Sequence, residues 1–158
     1  MAIYNIITIG DELLRAKAAV VRRFDERLHR MLDNMAQTMY EADGVGLAAP
    51  QIGVSKRIVV IDVGDGLLEL INPEILERRG SVLGSEGCLS VPDKHGYVYR
   101  AQWVRVRAQD RWGQPIEFEA EDFFARACQH EIDHLDGVLY VDKAVQPTDE
   151  ELARLEDE

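Results

Sequence analysis

The 158-residue chain has the length of one ordinary domain, and its 46% apolar residues suffice to close a core without staples. A formal net charge of −11 argues against an extended nucleic-acid surface, and no apolar run approaches the roughly 20 residues of a membrane helix. The start, Met1 to Ile7, lacks the features of a signal peptide and the two cysteines, Cys88 and Cys128, make no disulfide framework, so a cytoplasmic protein with free thiols is expected.

Residues 25–43 carry Leu28, Met31, Leu32, Met35, Met39 and Tyr40 at three- and four-residue steps, which predicts an amphipathic helix. Asp25 is its expected N-cap and Gly44 its stop, and its methionines read as core packing rather than a ligand-binding stripe. The β-branched run Arg57 to Val63 and the segment Leu67 to Asn72 predict a hairpin around Gly64-Asp65-Gly66. Further strands are expected near 75–79, 97–99, 102–109 and 116–119, with Trp112-Gly113 turning between the last two. Asp122 is the expected cap of a second helix that sets Phe123, Phe124, Ala127, His130, Glu131 and His134 on one broad face before Gly137. Thr148 to Glu158 is compatible with a short helix or a frayed end. Strands in the middle with helices at either side predict an α+β domain over residues 1–145, followed by a short acidic tail, 146–158.

The second helix carries the chemistry. His130-Glu131-Ile132-Asp133-His134 places two imidazoles one turn apart on one face with a carboxylate beside them, against the plain reading of two incidental surface histidines. A catalytic metal site of this kind needs a third protein ligand and an open position for water. The longer zinc-protease pattern would put a third His where Tyr140 stands, and a ligand from the acidic tail lacks a second helix to fix it. Cys88, in Glu86-Gly87-Cys88-Leu89-Ser90, is the preferred third ligand, its alternative being a buried structural thiol. Cys128 takes that structural reading, because two residues before His130 it points away from the histidine face.

Three segments, Gly44-Val45-Gly46-Leu47-Ala48-Ala49-Pro50-Gln51, Glu86-Gly87-Cys88-Leu89-Ser90 and Gln129-His130-Glu131-Ile132-Asp133-His134, together resemble the motifs of the peptide deformylase family. The similarity runs from about Ile3 to Val145. It implies antiparallel sheets packed around a central motif-bearing helix, and removal of the formyl group from the N-terminal formylmethionine of new polypeptides with release of formate. It further implies Cys88, His130 and His134 as ligands of one divalent metal ion, Fe²⁺ in the cell, with Ni²⁺, Co²⁺ or Zn²⁺ able to replace it. Glu131 would be general acid and base, while Gln51 and the backbone N–H of Leu89 would meet the oxyanion. Val45, Gly46, Glu86, Phe123, Arg126 and Ala127 are the residues expected at the substrate. For Arg126 the stem is expected to line the wall while the guanidinium reaches solvent or a carboxylate. Arg100 and Asp133 are a candidate pair orienting the helix.

The residue types suit this chemistry. A formamide is a poor electrophile, and a bound cation both lowers the pKa of its water and acts as a Lewis acid. A carboxylate can shuttle the proton, and a preorganised donor to the oxyanion is often worth about 3 kcal/mol. The rivals are a metal-stabilised binding domain without turnover, which needs neither Glu131 nor Gln51, and a zinc endopeptidase, which the mismatch at Tyr140 disfavours. The acidic end differs from the basic helix by which some deformylases dock near the ribosomal exit, so anchoring by that route is not expected and the ribosome remains a transient partner at most. Direct nucleic-acid or membrane binding is not expected either.

Overall fold

Asp25, in extended backbone, accepts a 3.1 Å hydrogen bond from the N–H of Leu28 and so starts the first helix, α1 (Glu26–Glu41). In this computed structural model, which describes residues 2–156, Leu28, Leu32, Met35 and Met39 of α1 are buried against a sheet, as their spacing predicts. The helix ends differently from expectation. Asp43, not Gly44, takes the left-handed conformation (φ 56°), and the N–H of Gly44 bonds the carbonyl of Met39 at 2.9 Å.

Among the described residues seven strands follow: β1 (Gly46–Ala48), β2 (Ile58–Ile61), β3 (Leu68–Arg79), β4 (Val82–Cys88), β5 (Val91–Arg100), β6 (Trp103–Gln109) and β7 (Pro115–Glu121). Five form an antiparallel sheet in the order β1-β2-β3-β6-β7, while β4 and β5 form a separate hairpin. The expected β2–β3 hairpin is present, with Ile61 opposite Leu68 around the positive-φ glycines Gly64 and Gly66. The two strands expected at 67–72 and 75–79 are one strand with bulges. Asn72 sits at a bulge with φ 53°, and its amide exchanges hydrogen bonds with both the N–H and C=O of Val21, tying the N-terminal segment to the sheet.

Three further features were not anticipated. β1, β4 and the first half of β5 are short in β-branched residues and rich in Gly, Ser and charge, so they carry little strand signal of their own. The segment 97–99 is only the end of β5.

The second helix, α2 (Asp122–Leu135), is buried without interruption from Ala125 to Ile132 rather than on one face. It packs on the five-stranded sheet and also meets β5, so polar residues at its centre are enclosed by protein. Asp122 is not its cap. That residue is the first of the helix with φ 54°, its carboxylate accepts from Gln102 Nε2, and Glu121 in the cap position makes no capping bond. Gly137 (φ 76°) ends the turn after the helix, where a Cβ would lie 2.4 Å from the carbonyl oxygen of Arg15.

The tail forms a third helix, α3 (Asp149–Glu156), opened by a reciprocal capping pair between Thr148 and Glu151. Val145 pairs with Tyr97, and the Tyr99 hydroxyl donates to Glu151, so β5 carries the tail. Asp157 and Glu158 lie outside the described residues.

Candidate active site

The 3.6-residue period of α2 stacks His130 and His134 on successive turns, with ring centroids 5.1 Å apart. Cys88 reaches them from the end of β4, where its Sγ lies 3.3 Å from His134 Nε2. One ligand atom from each of Cys88, His130 and His134 falls within 4.8 Å of the other two. The donor set suits a divalent ion, because a thiolate and an imidazole sharing a tetrahedral ion lie about 3.6 Å apart. The local charge suits it as well. Burial alone would lower His130, but Glu131, Cys88 and Glu86 outweigh burial and raise it to about 10. The acidic neighbours of His130 thus favour positive charge at this point. Burial and the neighbouring His130 instead push His134 down to about 3, the neutral state a ligand requires.

His130 is oriented from behind. Its Nδ1 is 2.8 Å from Glu86 Oε1, which leaves Nε2 for the ligand cluster. The Glu86 carboxylate also accepts from Arg100 Nε (2.8 Å), Arg100 Nη2 (2.9 Å) and Arg126 Nη1 (2.7 Å). Burial would raise this carboxyl, but the bonds and charges of Arg100 and His130 hold it well below the usual carboxylate range. With four hydrogen bonds its carboxylate is fully engaged within the protein, while Glu86 as a residue also borders the cavity where substrate is expected. Arg100 continues to Asp133 Oδ2 at 2.6 Å, as the pairing of those residues predicts, and Lys143 approaches the same oxygen at 3.0 Å.

Glu131 lines a cavity of about 410 Å³ beside the ligands, together with Val45, Gly46, Gln51, Leu89, Phe123 and Ala127. Burial pushes its pKa up to about 7, and its buried Oε1 has no hydrogen-bond partner among the described residues. Gln51 is fixed by its own backbone neighbourhood. Its Oε1 accepts from the N–H of Ala48 at 2.9 Å, which turns Nε2 toward Ser90 Oγ (3.1 Å) and Cys88 Sγ (3.6 Å). Val45 and Phe123 are exposed, Phe123 at 54%, so they stand at the mouth, while Ala127 is buried within. The expected alternative of solvent for the Arg126 guanidinium does not hold: it is buried and bonded to Glu86 and to two main-chain carbonyls.

Sequence reasoning did not name Asp43, Asp93, Lys94 or His95, which also border the cavity. The last three lie on β5, and a recognised β4–β5 hairpin would have brought them beside Cys88.

A family model described as polypeptide deformylase matches residues 3–150. The chain belongs to the peptide deformylase family. Peptide deformylases are hydrolases that remove the formyl group from N-terminal formylmethionine, and this chain is an enzyme of that kind. It is 55% identical to the peptide deformylase of Syntrophomonas wolfei subsp. wolfei over 152 residues, which is 96% of this chain and all of that protein. It is 57% identical to the Caldicellulosiruptor bescii peptide deformylase over 151 residues, 96% of this chain and 91% of the other. The crystal structure of the Thermotoga maritima peptide deformylase superposes with a TM-score of 0.91 at 44% identity, covering 92% of this chain and 100% of that one. That of Synechococcus elongatus in complex with actinonin gives 0.88 at 41%, over 98% and 84%. The deformylase fold, with antiparallel sheets about a motif-bearing helix, is thus the fold of this chain, and an endopeptidase or a mere binding domain is set aside.

Proposed function

We propose that this deformylase acts on N-formylmethionyl peptides through Glu131, with Cys88, His130 and His134 holding one divalent ion. The observation that carries the reading is Glu131 Oε1, a buried carboxylate oxygen with no hydrogen-bond partner among the described residues, beside the ligand cluster on the cavity wall. When bound, the ion supplies Lewis acidity and lowers the pKa of water at the reacting carbon. Glu131 takes a proton as water adds to the formyl carbon and returns it to the amine as the C–N bond breaks and formate leaves, its burial favouring the proton-bearing form between the two transfers. Gln51 Nε2 and the backbone N–H of Leu89 stabilise the developing oxyanion, Gln51 being held in orientation by Ala48 and Ser90. Val45, Gly46, Phe123 and Ala127 receive the methionine side chain in the mainly apolar part of the cavity. Glu86 serves by orienting His130.

Fe²⁺ is the ion expected in the cell, and Zn²⁺, Ni²⁺ or Co²⁺ can stand in, since a Cys-His₂ set accepts several first-row ions. Residues 1–145 form the catalytic unit and 146–158 an accessory tail. The enzyme works in the cytoplasm of a bacterial-type cell, meeting the ribosome transiently at most. No helix among the described residues is long and apolar enough to cross a membrane. The test is formate release from a formyl-Met tripeptide by anaerobically metal-loaded protein. Release by the parent and its loss in Glu131→Ala supports the assignment; undiminished release by that variant rejects it.

A further inference from the structure

The candidate ligands come from two elements that share no backbone hydrogen bond among the described residues, β4 for Cys88 and α2 for His130 and His134. Side chains must therefore fix their separation. Arg126 is placed for this task. It lies on α2 one turn before His130, is 9% exposed, and spreads its guanidinium over three acceptors of the β4–β5 hairpin. Nη2 donates to the Val82 carbonyl of β4 at 2.8 Å, and Nη1 donates to the Val98 carbonyl of β5 at 3.0 Å and to Glu86 Oε2 at 2.7 Å. The group lies on Gly84, the third residue of β4, where a Cβ would come within 2.7 Å of Nη2 and 2.8 Å of Cζ. Arg100 reaches Glu86 and Asp133 through side chains only, whereas Arg126 grips the main chain of the very strand that ends in Cys88.

We propose that Arg126 is a positioning residue that holds the Cys88 strand at a set distance from His130 and His134, and so governs how firmly the divalent ion is retained. The inference rests on the ligand assignment made above. A planar fork can satisfy three acceptors in fixed directions at once, which an ammonium on a flexible stem cannot. The bare Cα of Gly84 is what admits the fork flat against the strand. The alternative role, a wall of the methionine pocket, would act on substrate affinity and leave the metal alone.

The test uses the full chain loaded with Co²⁺, in the parent and in Arg126→Met, Arg126→Lys, Gly84→Ala and Cys88→Ser. The readouts are the rate of Co²⁺ transfer to excess chelator, the visible and near-ultraviolet thiolate–cobalt spectrum, and kcat and KM on a formyl-Met peptide. Metal affinity in Arg126→Met and Gly84→Ala should fall about ten- to a hundredfold, the range for loss of a group that supports a ligand, with faster release and an altered cobalt spectrum. Arg126→Lys should fall between these and the parent. Gly84→Ala decides the matter if Arg126→Met does not fold, because its methyl meets the end of a side chain rather than backbone. A raised KM with release and spectrum unchanged in both Arg126→Met and Gly84→Ala overturns the proposal. Cobalt retained by Cys88→Ser overturns the ligand assignment itself; cobalt lost there but kept by the Arg126 and Gly84 variants overturns this inference alone.

Discussion

A Cβ on Gly46 would lie 2.5 Å from Glu131 Oε2 and 2.8 Å from its Cδ, so β1 rests directly on the carboxylate that lines the cavity. Only glycine leaves room for that contact, and Glu131 is hemmed in from the sheet side by main chain. Gly46→Ala should therefore displace Glu131 while the protein remains folded. A misplacement of about 1 Å at a reacting group can cost roughly 10²-fold. We expect kcat to drop by about that factor with little change in bound metal, as measured by peptide kinetics and metal content on the same sample. Unchanged kcat would mean that Glu131 moves without consequence.

Glu86 joins His130 to two buried arginines, and its removal should strike both metal and fold. Glu86→Ala leaves Arg100 and Arg126 facing each other without their shared carboxylate, a change that costs about 3–5 kcal/mol at buried pairs. Glu86→Gln keeps the shape and one acceptor oxygen, so it should lose metal affinity about tenfold or more while unfolding closer to the parent. Denaturant titration and a chelator competition separate the two effects. Equal metal affinity in the parent and Glu86→Gln would count against the orienting role.

The two thiols should behave oppositely. Cys128 is fully buried in the core, and burial, reinforced by Glu131, pushes its pKa up to about 12. Cys88 is half-buried on the cavity wall. Iodoacetamide at neutral pH should thus label Cys88 after metal is stripped by a chelator, leave it protected when metal is bound, and spare Cys128 in both states. Peptide mass mapping reads this directly, and protection of Cys88 that does not depend on metal would argue against its being a ligand.

Removal of residues 146–158 tests the accessory nature of the tail. The segment is joined to β5 by the Tyr99–Glu151 contact, a bond at the rim of the fold. Truncation should leave kcat and KM unaltered and lower Tm by only a few degrees, roughly what 1–2 kcal/mol does to a domain of this size. Loss of activity in the folded, truncated protein would place residues 146–158 within the catalytic unit.

What could be read in the chain alone was set by short-range physics. The one-turn spacing of His130 and His134 follows from the helical period, the N-cap at Asp25 from the reach of one carboxylate, and the β2–β3 hairpin from the glycines between a β-branched run and a leucine-rich one. The burial of Cys128, on the face away from the histidines, does not follow from that period and comes from enclosure of α2 on all sides. The tertiary structure alone decided the rest. That Cys88 lies 3.3 Å from His134 is a contact across 46 residues, and no periodicity encodes the approach of a strand to a helix. The β4 strand has little signal of its own because its glycines serve packing, Gly84 beneath Arg126 and Gly87 beside His95. Glu86 and Arg126 carry the same lesson. As sequence they are charges suited to solvent or substrate, and only enclosure by α2 and the β4–β5 hairpin, where an unpaired charge is costly, makes them partners of each other and of His130.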